Sequence, residues 1–249
     1  MHPDYNPISE RPIEEGIASI KTWLPSIGDP VQDRQGMRLS MVKMDYRFVG
    51  IAQFVMYKDV NGFRENLKES VHLTLSLFAR ADKGEKIAGS YLSLLNYQEV
   101  LDAFAACEFE LGIKLLECMG GEQPERKISH PFDNYFARAL KAVVLEDAAG
   151  IEKWLPEFRK ACSRRLEDFL PYVNIMRAIV DRNAASANEQ FGPLIVGHHR
   201  ESRGRGVFAM SDDCELCVWG IGIANLCRWR GLFVEATPPL IPEELLYHP

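Results

Sequence analysis

The chain has 249 residues, of which 47% are hydrophobic and 26% are charged. That apolar fraction is ordinary for a globular protein and too high for a disordered one. The formal net charge of −6 argues against general binding to nucleic acid or to anionic membranes, because both need a basic surface. Length and composition therefore predict a single domain, residues 1–249, with a large core and with neither nucleic acid nor membrane as partner.

Cysteine usage and hydropathy favour a cytoplasmic protein. The six cysteines stand in hydrophobic contexts, which is typical of buried thiols in a reducing compartment. The segment Met1 to Tyr5 lacks the basic start and apolar run of a signal peptide. No stretch approaches the ~18 apolar residues that are needed to span a bilayer.

The first half of the chain has a helical period. From Val31 to Tyr57 there is no proline, and an apolar stripe recurs at spacings of three and four: Met37, Met41, Met44, Phe48, Ile51 and Val55. Asn61-Gly62 predicts a break, after which a second helix runs from Phe63 to Ala81. Asn96 and Glu99 predict a capping box at the start of a helix that continues to Cys118.

The second half continues the helical pattern. The polar loop from Gly120 to Ser129 predicts a sub-division of the domain near residues 120–130. Helices are expected from Pro131 to Asp147, after Gly150, from Tyr172 to Asp181, from Ala184 to Arg200 and from Glu215 to Arg230. Pro156 is expected in the first turns of its helix, and Pro193 is expected to kink or divide its own. Val234 to Leu246 predicts an extended tail with one short turn.

Strand signals are nearly absent, and no repeat of fixed period is present. The sequence therefore predicts an all-α fold, an irregular bundle of about eight or nine helices packed as antiparallel hairpins.

Cys214 and Cys217, followed by Cys227, form the most conspicuous chemical motif. A zinc site needs four converging ligands, and a single CxxC lacks the usual second pair. On a continuous helix, Cys214 and Cys217 would share one face with Ile221, so we interpret these thiols as packing residues. No metal and no cofactor are predicted.

Histidine and acidic residues near the last helix are the other candidates. Adjacent residues on a helix point about 100° apart, so His198 and His199 are poorly placed to share one ion. We predict that they contribute instead to a partner-binding face, formed by His198, His199, Arg200, Glu201, Asp212, Asp213 and Glu215. A metal-dependent hydrolase that uses both histidines remains a less favoured alternative.

Motifs for nucleophilic and phosphate chemistry are missing from the sequence. There is no G-x-S-x-G elbow, no P-loop and no dinucleotide-binding fingerprint. Gly220 and Gly222 fall in the middle of a predicted helix, where small residues allow another helix to approach closely. These features predict that the protein is not an enzyme.

The last fifty residues resemble a known family. His198-His199 is followed by the run from Cys214 to Leu232, and then by Pro239 to Leu246, which ends in P-x-x-L-L. This order resembles the immunity protein 49 family, which is found beside bacterial polymorphic toxins. The stretch from Pro131 to Leu140, with Glu146-Asp147 after it, is compatible with the central helices of that family.

The resemblance implies an all-helical, non-enzymatic protein that binds a cognate toxin in the cytoplasm and blocks it. An acidic surface would suit a basic toxin such as a nuclease, because it accelerates the encounter. A second hypothesis from another class is a helical scaffold of the tetratricopeptide-repeat kind, which holds a peptide or protein partner in a groove. The sequence leaves the oligomeric state open.

Overall fold

The computed structural model describes residues 12–121, 123, 126 and 130–249. The segment Met1 to Tyr5 and most of the 120–130 loop lie outside these residues. The described residues form ten α-helices and no strand, which confirms the all-α prediction. In chain order the helices are α1 (Ile13–Trp23), α2 (Met37–Tyr57), α3 (Val60–Asp82), α4 (Tyr97–Ala105), α5 (Phe109–Cys118), α6 (Pro131–Val144), α7 (Ala148–Ala161), α8 (Leu170–Val180), α9 (Ala184–Glu201) and α10 (Val218–Trp229).

Helices α2 to α9 pair in sequence as four antiparallel hairpins. Each hairpin turns through one residue with positive φ, followed by an extended or intermediate residue that precedes the next helix; the positive-φ residues are Lys58, Cys107, Glu146 and Arg182. In three of the turns the next side chain caps the following helix, because Asp59, Asp147 and Asn183 accept from the backbone N–H three residues on. The same local geometry thus recurs at unequal spacing, which a search for a fixed period does not detect.

Several predicted boundaries were wrong because these turns begin the helices earlier. Gly62 and Gly150 do not break the chain but lie in the first turns of α3 and α7. Pro156 consequently falls in the third turn of α7, and α9 runs through Pro193 as one helix. Positive φ at Cys107 also divides the helix that was predicted to reach Cys118 into α4 and α5.

The capping box predicted at Asn96 is also absent. The Asn96 amide instead donates to the carbonyls of Tyr91 and Ser93, and Glu99 pairs with Lys43. These tertiary partners therefore replace the local contact that the sequence suggested.

Helix α10 is the centre of the molecule. Every residue from Val218 to Arg228 is buried, and the helix packs mainly on α4 and also on α8 and α9. A Cβ at Gly222 would collide with the carbonyl oxygen of Leu101, so α4 and α10 approach as closely as the glycine predicted. Because α10 contacts helices on both sides of the 120–130 loop, one hydrophobic core runs through both halves of the chain.

Two buried polar side chains of α10 hold the carboxyl-terminal tail. The Asn225 amide donates to the carbonyls of Phe104 and Leu245 at 3.0 and 3.1 Å, and its oxygen accepts from the backbone N–H of Tyr247 at 2.7 Å. The Arg228 guanidinium donates to the Val234 carbonyl and to the Glu243 carboxylate. The tail is extended, as predicted, but it has two turns rather than one: the first is closed by backbone hydrogen bonds between Thr237 and Ile241, and the second is Glu243–Leu245.

Candidate functional site

A groove of about 540 Å³ opens between the first half of α2, the start of α4 and the segment that precedes α10. We call it the acidic groove. Its charged lining residues are Lys43, Arg47, Glu99, Asp102, Asp212 and Asp213, and the exposed apolar side chains that line it are Met44, Leu95 and Met210.

Arg47 connects the three elements of the groove. Its Nε lies 2.7 Å from Asp102 Oδ2, and its Nη2 lies 3.2 Å from Asp102 Oδ1 and 2.7 Å from Asp213 Oδ1. The guanidinium therefore joins α2 to α4 and to the short turn Asp212–Cys214. Beside it, Lys43 forms an ion pair with Glu99.

The electrostatics of the groove are set by Asp102, whose side chain is fully buried. Burial raises the pKa of Asp102 to about 6, although Arg47 opposes the shift. Burial alone would lower the pKa of Arg47, but the carboxylates of Asp102 and Asp213 outweigh it and hold the pKa well above its ordinary value. A buried charge of this kind is stable only with a partner, so removal of Arg47 would leave two buried carboxylates without a counter-charge.

The charged lining has a negative excess, since four carboxylates face two cations. Both oxygens of Asp102 are engaged by Arg47, which suits a fixed electrostatic element rather than a group that exchanges protons with a substrate. The arrangement offers negative potential and apolar contact on one open surface.

The structure separates the residues predicted to form a partner-binding face. Asp212 and Asp213 line the acidic groove, whereas Glu215 is exposed outside its lining. His199 and Arg200 are exposed on α9, where Arg200 forms an ion pair with Asp168 at 2.8 Å.

Two of the predicted face residues have internal roles. His198 is only 3% exposed, so its expected surface position was wrong; the ring packs on Phe208, with centroids 4.8 Å apart. Burial lowers the pKa of His198 to about 4, and the nearby Asp213 only partly offsets the shift. Glu201 fastens the following loop, because its carboxylate accepts from the backbone N–H of Val207 at 2.8 Å.

The sequence suggested that the cysteine motif lies on one helix, and this was wrong. Cys214 lies in the turn before α10, and Cys217 immediately precedes the helix. Burial raises the pKa of Cys214 to about 11 and those of Cys217 and Cys227 to about 12, so these thiols are protonated at neutral pH. In the described part of the chain, no three histidine, cysteine or acidic side chains are grouped so that they could hold a metal ion.

Sequence reasoning missed Lys43, Arg47, Glu99 and Asp102 as groove residues. A signal for one of them was present, since Asp102 interrupts the apolar run from Val100 to Phe104. A charge within the buried face of a helix indicates a partner elsewhere in the fold. The partners cannot be read from the sequence, because Arg47 and Asp213 lie 55 and 111 residues away from Asp102 along the chain.

The apolar stripe predicted on α2 is not buried along its whole length. Phe48 and Ile51 are buried, but Met37, Met41 and Met44 are 46%, 43% and 64% exposed. The core face of these turns carries Leu39 and Val42 instead.

None of the described helices is long and apolar enough to cross a bilayer. Comparison with protein-family models, with curated proteins and with solved structures finds no match to the chain.

Proposed function

We propose that this protein is an immunity-type binding protein that neutralises a cognate bacterial toxin in the cytoplasm by direct contact. The observation that carries the proposal is the acidic groove, which combines a negative excess with exposed methionine and leucine side chains. Methionine is frequent at protein-binding surfaces because its unbranched, polarisable side chain adapts to the partner.

The positions of the charges suit recognition of a basic protein. Glu99 and Asp213 are paired with Lys43 and Arg47, but four carboxylates against two cations leave the lining of the groove negative. A negative surface accelerates the encounter with a positively charged toxin such as a nuclease. The ion pairs of Arg47 fix the walls of the groove in advance, which lowers the entropy that binding would otherwise cost.

The proposal includes that the chain is not an enzyme. Catalytic sites bring together a nucleophile or base with a pKa near the working pH and a group that orients it. Here the buried thiols have raised pKa values, His198 packs on Phe208 inside the core, and Asp102 is held by Arg47. Burial separates Cys217 and His198 from a substrate, and Arg47 occupies both carboxylate oxygens of Asp102.

The resemblance to the immunity protein 49 family supports the same conclusion from the sequence. In the structure its carboxyl-terminal residues pack the central helix and the tail: Leu245 and Leu246 of the P-x-x-L-L segment are fully buried. The resembling residues thus act on the fold, which leaves the exposed groove free to vary with the toxin.

Co-expression tests the proposal. The chain is produced together with a toxin-domain protein encoded immediately upstream of its gene, and growth and co-purification are measured. We expect rescued growth and a stable complex, with an unrelated toxin of the same activity as the control for specificity. Toxicity that persists although the chain is expressed and folded would contradict the proposal, as would the lack of any toxin-domain gene beside it.

The tandem hairpins favour one second candidate, a helical adaptor. Consecutive hairpins contact one another in the described residues, as they do in arrays that bind peptides. The helix that these hairpins surround is, however, α10 of the same chain. The inner face of the hairpins is therefore occupied, and an adaptor would have to bind its partner on an outer surface. Binding of that partner would have no effect on toxin-dependent growth.

A further inference from the structure

The first two turns of α2 present an uncovered row of methionines. Met37, Met41 and Met44 follow one another at spacings of four and three, so they lie along one face of the helix over about 10 Å. All three are more than 40% exposed. Contiguous exposed apolar side chains mark interaction surfaces, whereas isolated ones are common on any protein surface.

The row continues into the acidic groove, where the opposite walls are also apolar at their rims. Met44 on α2 faces a groove that Leu95 and Met210 line as well, with exposures of 42% and 63%.

Charge decides which occupant fits. Four carboxylates and two cations line the groove, so its lining has a net charge of −2. A second copy of this chain would fit poorly, because a two-fold contact would place groove against groove and the whole chain carries a charge of −6. An occupant with lysine or arginine beside an apolar face meets both features.

We propose that the acidic groove and the methionine row bind one amphipathic helix of a protein partner, whose apolar residues recur at i, i+3 or i+4, and i+7 and are flanked by lysine or arginine. The spacing of Met37, Met41 and Met44 matches this recurrence, as in other complexes in which a helix lies in a groove. The inference rests on the proposed function and names the recognition element of the toxin.

A designed peptide serves as the probe. A fluorescein-labelled 18-residue helix with leucine at those positions and lysine elsewhere is titrated with the full chain, and fluorescence anisotropy is measured. We expect saturable binding that weakens with salt, and at least about tenfold weaker binding when every lysine of the peptide is replaced by glutamate. Equal binding of the two peptides would overturn the proposal.

Serine substitutions in the chain locate the site. Met44→Ser combined with Met210→Ser removes two apolar contacts from the groove, and we expect the Kd to rise at least about tenfold. Met56→Ser is the matched control, since Met56 lies on α2, is 51% exposed and does not line the groove. Because all three side chains are exposed, circular dichroism should show unchanged folding. An equal loss of affinity in the control variant would overturn the proposal.

Methyl NMR gives an independent readout. The chain has eight methionines, so ¹³C-labelled methyl groups resolve the contact. Addition of the lysine peptide should shift the signals of Met37, Met41, Met44 and Met210 and leave that of buried Met176 unchanged. Shifts confined to other methionines would overturn the proposal. So would a dimer, detected by light scattering without peptide, that buries these four methionines.

The same variants separate this inference from the proposed function. If the chain rescues growth and the Met44→Ser, Met210→Ser double variant rescues it equally well, the docking surface is wrong and the immunity function stands. If the peptide binds in the groove but no toxin is neutralised, the docking surface stands and the immunity function is wrong.

Discussion

His198 provides the sharpest test of the structure, because it links a single buried ring to the pH dependence of stability. The ring is 3% exposed and packs on Phe208 at 4.8 Å. Burial lowers its pKa from 6.5 to about 4, against the opposing effect of Asp213. The perturbation is His198→Leu, which removes the titrating group and keeps an apolar side chain in the core.

The sign follows from proton linkage. Between these two pKa values the unfolded chain binds a proton at residue 198 and the folded chain does not, so acid favours unfolding. The contribution of neutral His198 is fully present above pH 6.5 and is lost as the pH falls through about 4. At about pH 4.5 the shift corresponds to a loss of about 2.5 kcal/mol relative to neutral pH.

Urea denaturation followed by circular dichroism measures this term. The free energy of unfolding is determined at about pH 7.5 and at about pH 4.5 for the natural chain and for His198→Leu, and the two pH-dependent changes are subtracted. The subtraction cancels other titrating groups, including Asp102. We expect the variant to lose about 2.5 kcal/mol less than the natural chain on acidification.

An exposed residue of the same helix that does not titrate supplies the matched control: Val196 is 50% exposed on α9, and Val196→Leu should leave the pH dependence of the natural chain unchanged. Parallel profiles for the natural chain and His198→Leu would refute the reasoning. They would mean that the ring at position 198 is accessible to protons in the folded state.

The remaining predictions concern the α4–α10 contact and the buried acid. Ionisation of Asp102 is costly only in the folded state, because burial raises its pKa to about 6 there. The natural chain should therefore lose about 3 kcal/mol of stability relative to Asp102→Asn as the pH rises from about 3 to 7. Urea titrations across that range measure the difference between the two chains, and a difference that does not change with pH would contradict the prediction. Gly222→Ala should lower the free energy of unfolding by about 1–3 kcal/mol, because the added Cβ meets the adjacent helix. Gly192→Ala is the control: its Cβ meets nothing within 4 Å, so it should stabilise the protein by up to about 1 kcal/mol. Equal shifts of the melting temperature in the two variants would argue against the close approach of α4 and α10. Asn225→Leu should destabilise the protein by about 3 kcal/mol or more, since the backbone N–H of Tyr247 and three backbone carbonyls lose their hydrogen-bond partner. The released tail should also be cleaved faster by carboxypeptidase, and an unchanged cleavage rate would show that the amide does not hold the tail.

Much of the fold follows from local pattern. The period of three to four predicted an all-α chain, Pro131 predicted the start of α6, and Val234 to Leu246 predicted an extended tail. Gly222 predicted a close helix contact before its neighbour was known. These features depend on residues near one another in the chain, and their local preferences agree with the tertiary structure.

The hairpin turns show where local pattern misled. Glycine at positions 62 and 150 was interpreted as a break, yet in both places an aspartate three residues earlier accepts its N–H and begins the helix. An aspartate with a glycine three residues after it therefore marks the start of both helices. Glycine often ends a helix, but a capping side chain three residues before it marks the start of one instead.

The amino-acid sequence alone determined that the chain is helical and which apolar residues recur at helical spacing, although it placed several helix ends wrongly. Only the tertiary structure decided which of those faces is covered, leaving the methionines of α2 exposed and enclosing α10. It also brought Arg47 to Asp102 and Asp213 and so created the acidic groove. The physical reason is that the periodicity of a helix is a short-range property, whereas burial and charge pairing depend on segments that meet only when the whole chain has packed.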